Sequence, residues 1–172
     1  GKVLGGSSAI NGMMYIRGHA RDYDHWRQLG LTGWSYADVL PAFRAFERNV
    51  SHEAADFFHG REGELFTEKA RGDHPLYRAW LACTQALGLP SNEDFNGPEQ
   101  HGVGLYDFNI QGGQRVSAAR AFLAPARQRP NLRVETGAQV SRLLFEGRRC
   151  AGVEAIRGGT FVKWHAGRQV VL

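Results

Sequence analysis

The chain has 172 residues, of which 42% are hydrophobic and 22% charged, as is ordinary for a soluble globular protein. This length fits one domain or parts of two and is enough to bury a core. The formal net charge of +4 comes from basic residues without a dense tract, which argues against a nucleic-acid-binding function. No apolar run is long enough to span a bilayer.

The chain opens on a stretch rich in glycine, serine and asparagine, GKVLGGSSAING, at residues 1–12. Backbone with so few side chains lets a ligand approach closely, and N–H groups before a helix favour an anion. The same composition fits a plain flexible loop, and the G-x-G-x-x-G and G-x-x-x-x-G-K-[ST] phosphate patterns do not occur. Composition alone therefore leaves both interpretations open.

Two helices are predicted next. The segment RDYDHWRQLG reads as a short helix that stops at Gly30. The second helix lies in TGWSYADVLPAFRAFERN, where Ser35 and Asp38 have capping-box spacing and Pro41 predicts a kink or a split. Its apolar residues share one stripe at helical spacing: Tyr36, Val39, Leu40, Phe43 and Phe46.

Residues 49–73 are polar and aperiodic, which predicts a loop with one short strand, GELFTE. A further helix is expected from Pro75 to Leu87, capped by Asp73 and closed by Gly88. Its predicted buried face consists of Leu76, Trp80, Cys83, Thr84 and Leu87.

The second half turns to β-structure. VGLYDFNI alternates like a strand and leads to a helix capped by Ser117, with Pro125 near its end. From Asn131 onward, short β-rich runs separated by Gly-containing turns predict a meander, and the last run, GRQVVL, has a buried-strand pattern. The expected fold class is α/β to α+β. Without an initiator Met, and with ends inside predicted elements, the chain is expected to be an internal segment of a longer protein.

Neither the cysteines nor the histidines form a recognisable chemical motif. Cys83 and Cys150 are far apart and are expected to be reduced structural thiols, Cys83 in the core. The seven histidines are expected in loops, on helix surfaces or beside turns, with structural or solvated roles and no metal.

The opening 26 residues, GKVLGGSSAINGMMYIRGHARDYDHW, resemble the first signature of the glucose–methanol–choline (GMC) flavin-dependent oxidoreductases. The resemblance continues in order through GWSYADVLPAFRAFE, DFNGPEQHGVGLYDFNIQGGQRVSAARAFL and NLRVETGAQVSRLLFEGRRCAGVE. It covers essentially the whole chain and is similar to the choline and alcohol dehydrogenase branch.

The resemblance implies specific contacts with FAD. In the family the opening stretch lies along the FAD diphosphate and flavin, so Val3 and the run Asn11, Gly12, Met13, Met14 are expected to contact the cofactor. Val140 is expected near the adenine end. On pattern alone, the two methionines and Val140 would be ordinary core residues. Some members bind FAD covalently through a His just before the motif's Asn. Here that position holds Ile10, so non-covalent FAD is expected.

The resemblance also implies domains and a reaction. Residues 1–48 and 131–172 are expected to belong to the FAD-binding domain, and residues 49–130 to the substrate domain. The expected reaction of the whole protein is oxidation of a primary alcohol to an aldehyde by hydride transfer to flavin N5. None of the seven histidines matches the family's catalytic base, so the chain is expected to contribute no catalytic residue and to be inactive alone.

The sequence is also compatible with other functions. A hydroxynitrile lyase shares the scaffold and keeps FAD without net redox chemistry, and a non-catalytic structural segment or a basic nucleic-acid binder belongs to a different class. The expected partner is a small alcohol, with no nucleic acid and no metal. The electron acceptor and membrane association are not indicated. The expected location is the cytoplasm or the periphery of the inner membrane in a bacterium.

Overall fold

The computed structural model describes residues 1–52 and 57–172. The chain divides into two compact units, Gly1–Gln128 and Arg129–Leu172. The first unit contains helices together with parallel and antiparallel strand pairs, and the second contains antiparallel strands. The expected α/β to α+β fold class is confirmed.

The first two helices of the first unit lie where the sequence predicts them. Helix α1 spans Ala20–Gln28, just before Gly30, which adopts a positive φ of 96°. Helix α2 spans Tyr36–Phe46 and begins with the predicted capping box between Ser35 and Asp38. The expectation of a split at Pro41 is wrong, because α2 continues through this residue as one element.

Helix α3, Pro75–Ala86, forms as predicted but buries a different face. Leu76, Trp80 and Leu87 are 75%, 63% and 81% exposed, and Cys83 is exposed rather than in the core. Of the predicted face only Thr84 is buried, as expected, and Tyr77 and Leu81, outside that face, are half-buried at the matching helical spacing. The cap is His74, whose Nδ1 accepts from the Leu76 N–H, and not Asp73. The apolar stripe indicated a shared face but not the surface against which the helix packs.

A four-stranded sheet lies beside these helices, in the order β1-β4-β3-β2. Strands β2 and β3 are parallel, and the other two pairs are antiparallel. The predicted strand GELFTE is confirmed as β3, whereas VGLYDFNI yields only β4 and part of the next hairpin. The ranges are β1 Met14–Tyr15, β2 Glu47–Asn49, β3 Leu65–Lys69 and β4 Asp107–Phe108.

A β-hairpin and a short helical segment complete the first unit. Strands β5, Ile110–Gln111, and β6, Gln114–Arg115, pair antiparallel. The helix predicted after Ser117 is a π-helical turn, Ala119–Leu123, that continues into α4, Ala124–Ala126. Ser117 Oγ accepts from the Arg120 N–H at 3.3 Å, as its predicted capping role requires. Within residues 1–52 and 57–172, no helix is both long and apolar enough to cross a membrane.

The second unit is the predicted meander. Strands β7 Ala138–Glu146, β8 Arg149–Arg157 and β9 Thr160–His165 form an antiparallel sheet in chain order. A Cβ at Gly152 would lie 2.1 Å from the Trp164 carbonyl oxygen, so this position of β8 requires glycine. The buried strand expected in GRQVVL is wrong, because no strand forms there and Val171 and Leu172 are 79% and 94% exposed.

Candidate functional site

The opening segment, residues 1–14, has backbone geometry that few side chains allow. Gly5 and Gly6 adopt φ values of 92° and 55°, and Met13 is the one non-glycine residue of the described chain with a positive φ, 63°. A Cβ at Gly5 would lie 3.2 Å from the Ala119 Cβ, which shows how closely this turn packs on the π-helical segment. At Gly6 and Gly12 no described atom lies within 4 Å of a Cβ position, so both present open backbone.

Two side chains fix the opening segment to the β6 hairpin and the turn after it. Asn11 Oδ1 accepts from the Met13 N–H at 3.1 Å and from Arg115 Nη1 at 2.7 Å, and Arg115 Nη1 also donates to the Ser8 carbonyl at 3.2 Å. Ser8 Oγ in turn accepts from the Ala118 N–H at 2.9 Å. The sequence did not single out Arg115, because a residue 104 positions from Asn11 has no local signal of this contact.

Five of the six residues expected to contact FAD belong to this segment, and four of these five are exposed. Val3 and Met14 are 57% and 52% exposed, and Asn11 and Gly12 are also exposed, while Met13 is half-buried. Val140 belongs to β7 of the second unit and is 46% exposed. Met14 and Val140 are therefore not part of a core within this chain. An exposed apolar surface on anchored backbone with open glycines fits a flat aromatic cofactor with phosphates. Ile10 offers no nucleophile for a covalent bond.

Directly after β1, a buried arginine joins the opening segment to strand β2. Arg17 Nη2 lies 2.8 Å from Glu47 Oε2, with side-chain exposures of 2% and 0%. Arg17 Nη1 donates to the Phe58 carbonyl at 2.7 Å, and the Arg17 N–H donates to Asn96 Oδ1 at 2.8 Å. Such fully desolvated pairs depend on complete hydrogen bonding, and the contacts of Arg17 provide it.

Glu47 also contacts a second, partly buried group, which we call the histidine–aspartate cluster: His52, His59, Asp94 and Asp107. His59 Nδ1 lies 3.0 Å from Glu47 Oε1, and His59 Nε2 lies 3.0 Å from Asp94 Oδ2. The His52 ring stacks on the His59 ring at 4.2 Å. His52 Nε2 is 3.0 Å from Asp107 Oδ2 and 3.9 Å from Asp94 Oδ1. The sequence did not indicate this cluster, because its members come from four separate segments.

The protonation of His59 follows from its surroundings. Burial disfavours the charged ring, but hydrogen bonds to Asp94 and Glu47 outweigh it and raise the pKa of His59 from 6.5 to about 9. Burial tends to raise the pKa of Asp94, but the hydrogen bond and charge of His59, the Asn96 N–H and His52 together outweigh it, so the pKa of Asp94 lies below its usual value. In the ion-free cluster, His59 is therefore a cation at neutral pH, between two carboxylates.

The raised pKa of His59 predicts that the protein loses stability in mild alkali. A group with a raised pKa in the folded state contributes its full stabilisation below its unfolded pKa and loses it as the pH rises through the folded value. We expect the urea midpoint of the chelator-treated protein to fall between pH 6.5 and about 9, the interval set by the two pKa values of His59. The His59→Gln variant should show a flatter profile, and the exposed His165→Gln variant should keep the wild-type slope. A flat wild-type profile would contradict this assignment.

Comparison with known proteins identifies the family. The family model described as GMC oxidoreductase matches residues 1–172. Over its whole length the chain is 44% identical to the oxygen-dependent choline dehydrogenase of Brucella anthropi and to the mitochondrial choline dehydrogenase of Homo sapiens. It covers 31% and 29% of these relatives, so it spans about three tenths of their length.

Solved structures show the same relationship. A pyridoxine 4-oxidase from Mesorbium loti superposes with a TM-score of 0.86 at 34% identity, over 92% of this chain and 31% of the oxidase. An FAD-dependent oxidoreductase from Chaetomium thermophilum gives a TM-score of 0.86 at 28% identity, over 94% of this chain and 30% of that protein. The signature at the opening segment, the full-length family match and these structures agree: the chain belongs to the GMC oxidoreductase family.

Proposed function

We propose that the whole protein to which this chain contributes is an FAD-dependent oxidoreductase that oxidises a primary alcohol to an aldehyde. The observation that carries the proposal is the anchored, exposed opening segment in a chain 44% identical over its full length to choline dehydrogenases. Choline and medium-chain or aromatic alcohols are the substrates to test. The proposal places the proton-accepting base outside this chain.

In this proposal the opening segment holds the cofactor. The open backbone at Gly12 and the exposed side chains of Val3 and Met14 would lie against FAD, with Asn11 and Met13 beside them. Arg115 keeps Asn11 in place through its 2.7 Å hydrogen bond, so the surface is formed before the cofactor arrives. When bound, FAD supplies the hydride acceptor that protein side chains lack.

The proposal divides the chain between two domains. We assign residues 1–48 and 131–172 to the FAD-binding domain and residues 49–130 to the substrate domain, with Val140 at the adenine end of FAD. Support for the last segment comes from residues 129–172, which form a compact unit with its own three-stranded sheet.

Anaerobic reduction of the full-length protein tests the proposal. We expect a yellow protein whose flavin absorbance bleaches when choline or benzyl alcohol is added without oxygen. A colourless protein that ignores added FAD would overturn the proposal. Cyanide release from mandelonitrile without bleaching would replace it with a lyase. Because Ile10 cannot form the covalent bond, acid precipitation should leave the flavin in the supernatant.

A further inference from the structure

The histidine–aspartate cluster gathers four metal-binding side chains at one point. One ligand atom from each of its members lies within 4.8 Å of the ligand atoms of the other three. Both Nε2 atoms approach the Asp94 carboxylate, that of His59 at 3.0 Å and that of His52 at 3.9 Å. Two imidazole nitrogens and two carboxylates are a ligand set that suits zinc and its neighbours among the divalent transition metals.

The local charge favours a divalent cation. With both rings neutral, Arg17 contributes one positive charge, and Glu47, Asp94 and Asp107 contribute three negative charges. The buried group then carries two uncompensated negative charges, which is costly in a low-dielectric interior. Either two protons on the histidines or one divalent metal ion neutralises this excess. The charge balance therefore allows the cluster to hold either two protons or one divalent metal ion, and an experiment distinguishes these two states.

The groups behind the candidate ligands are arranged as a metal site requires. Glu47 accepts from His59 Nδ1, which leaves Nε2 directed at the cluster. Asn49 Nδ2 donates to Asp107 Oδ2 at 2.9 Å, and the Asn96 N–H donates to Asp94 Oδ1 at 2.8 Å. Carboxylates and amides in these positions orient ligands and raise their affinity for a metal.

We propose that the histidine–aspartate cluster is a binding site for one divalent metal ion of the zinc class. Zinc–ligand bonds of about 2.0–2.2 Å place tetrahedral ligands roughly 3.3–3.5 Å apart, so the more distant members need to move by about 1 Å. The site adjoins the buried Arg17–Glu47 pair, because Glu47 of β2 contacts both Arg17 and His59. A bound ion would therefore stabilise the packing of β2 against the segment that contains Arg17. Partial exposure of the His52 and Asp94 side chains, 13% and 18%, gives the ion a route in.

The test is a zinc titration of the full-length protein, purified without a polyhistidine tag and stripped with a chelator. We expect one zinc ion bound per chain by calorimetry and a zinc-dependent rise in melting temperature, since a ligand that binds only the folded state stabilises it. X-ray absorption should show a shell of nitrogen and oxygen ligands without sulfur, together with the outer-shell scattering of imidazole rings. The variants His52→Gln and Asp107→Asn should each bind zinc about tenfold or more weakly.

The control is His165→Gln, an exposed histidine of β9 outside the cluster, which should bind zinc like the wild type. Two results would overturn the proposal: no zinc binding at millimolar zinc, which indicates a cluster filled by protons, or equal binding in the cluster variants and the wild type. Circular dichroism of both cluster variants checks that they fold. Flavin content is measured separately, so failure of the zinc site leaves the proposed FAD function untouched.

Discussion

Replacing Glu47 by alanine will lower the free energy of unfolding by about 3–5 kcal/mol, the usual effect of removing one partner of a buried ion pair. Glu47 is 0% exposed and accepts from Arg17 at 2.8 Å, from His59 at 3.0 Å and from the Gly60 N–H at 2.8 Å. The variant leaves two buried cations without their shared counter-ion.

Urea unfolding of the wild type and the variant measures this effect. The matched control is Glu146→Ala, because the Glu146 side chain is 68% exposed and lies 3.6 Å from Arg149 across a turn. Surface pairs of this kind contribute little, so the control should unfold like the wild type. Equal effects of the two substitutions would show that the Arg17–Glu47 pair is not buried in solution.

Strand β2 shows why the sequence could not predict the buried Arg17–Glu47 pair. The sequence predicted no strand directly after the second helix, whereas α2 ends at Phe46 and Glu47–Asn49 forms a strand. Glu47 and Asn49 point inward and Arg48 outward, so the strand alternates as strands do, but with polar residues on the buried side. Hydrophobic periodicity finds strands by their apolar face and has no means of finding this one.

The elements that the sequence did predict are those with local chemistry. The Ser35–Asp38 capping box fixes the start of α2 within four residues, and glycine-containing turns separate the strands of the meander. Helix α3 had equally clear spacing, yet the wrong face was assigned to the interior. Local sequence signals indicate which residues share a helix face. Which face is buried depends on packing against residues that are distant in the sequence.

The opening segment depends both on local sequence signals and on contacts with residues distant in the sequence. Its glycines and its resemblance to a family signature indicated a cofactor surface from the sequence. The groups that hold it, Arg115 and the Ala118 N–H, come from more than 100 positions away. Arg17, three residues after this segment, lies in the interior of the first unit. Through Glu47 it connects the proposed FAD surface to the histidine–aspartate cluster. The family signature therefore predicts the surface, and long-range polar contacts explain why it holds its shape.

Substituting valine for Gly12 will weaken FAD binding by the full-length protein roughly 10- to 100-fold while leaving its stability unchanged. Gly12 has no described atom within 4 Å of a Cβ position, and its φ lies outside the positive range, so the folded chain accepts a larger side chain there. If FAD lies against this backbone, the new methyl groups occupy its space. Overpacking of this kind costs about 1–3 kcal/mol, and each 1.4 kcal/mol is a factor of about ten in affinity.

Fluorescence titration of the deflavinated protein with FAD measures the affinity, and the melting temperature without FAD measures the stability. Gly167→Val is the matched control, because Gly167 is equally open, has no positive φ and lies outside the opening segment. It should change neither quantity. Normal FAD affinity in the Gly12→Val variant would place the cofactor elsewhere. A lower melting temperature without FAD would mean that the backbone at Gly12 is packed in solution. Only a loss of FAD affinity with unchanged stability would show that the open backbone at Gly12 is needed for FAD binding and not for folding.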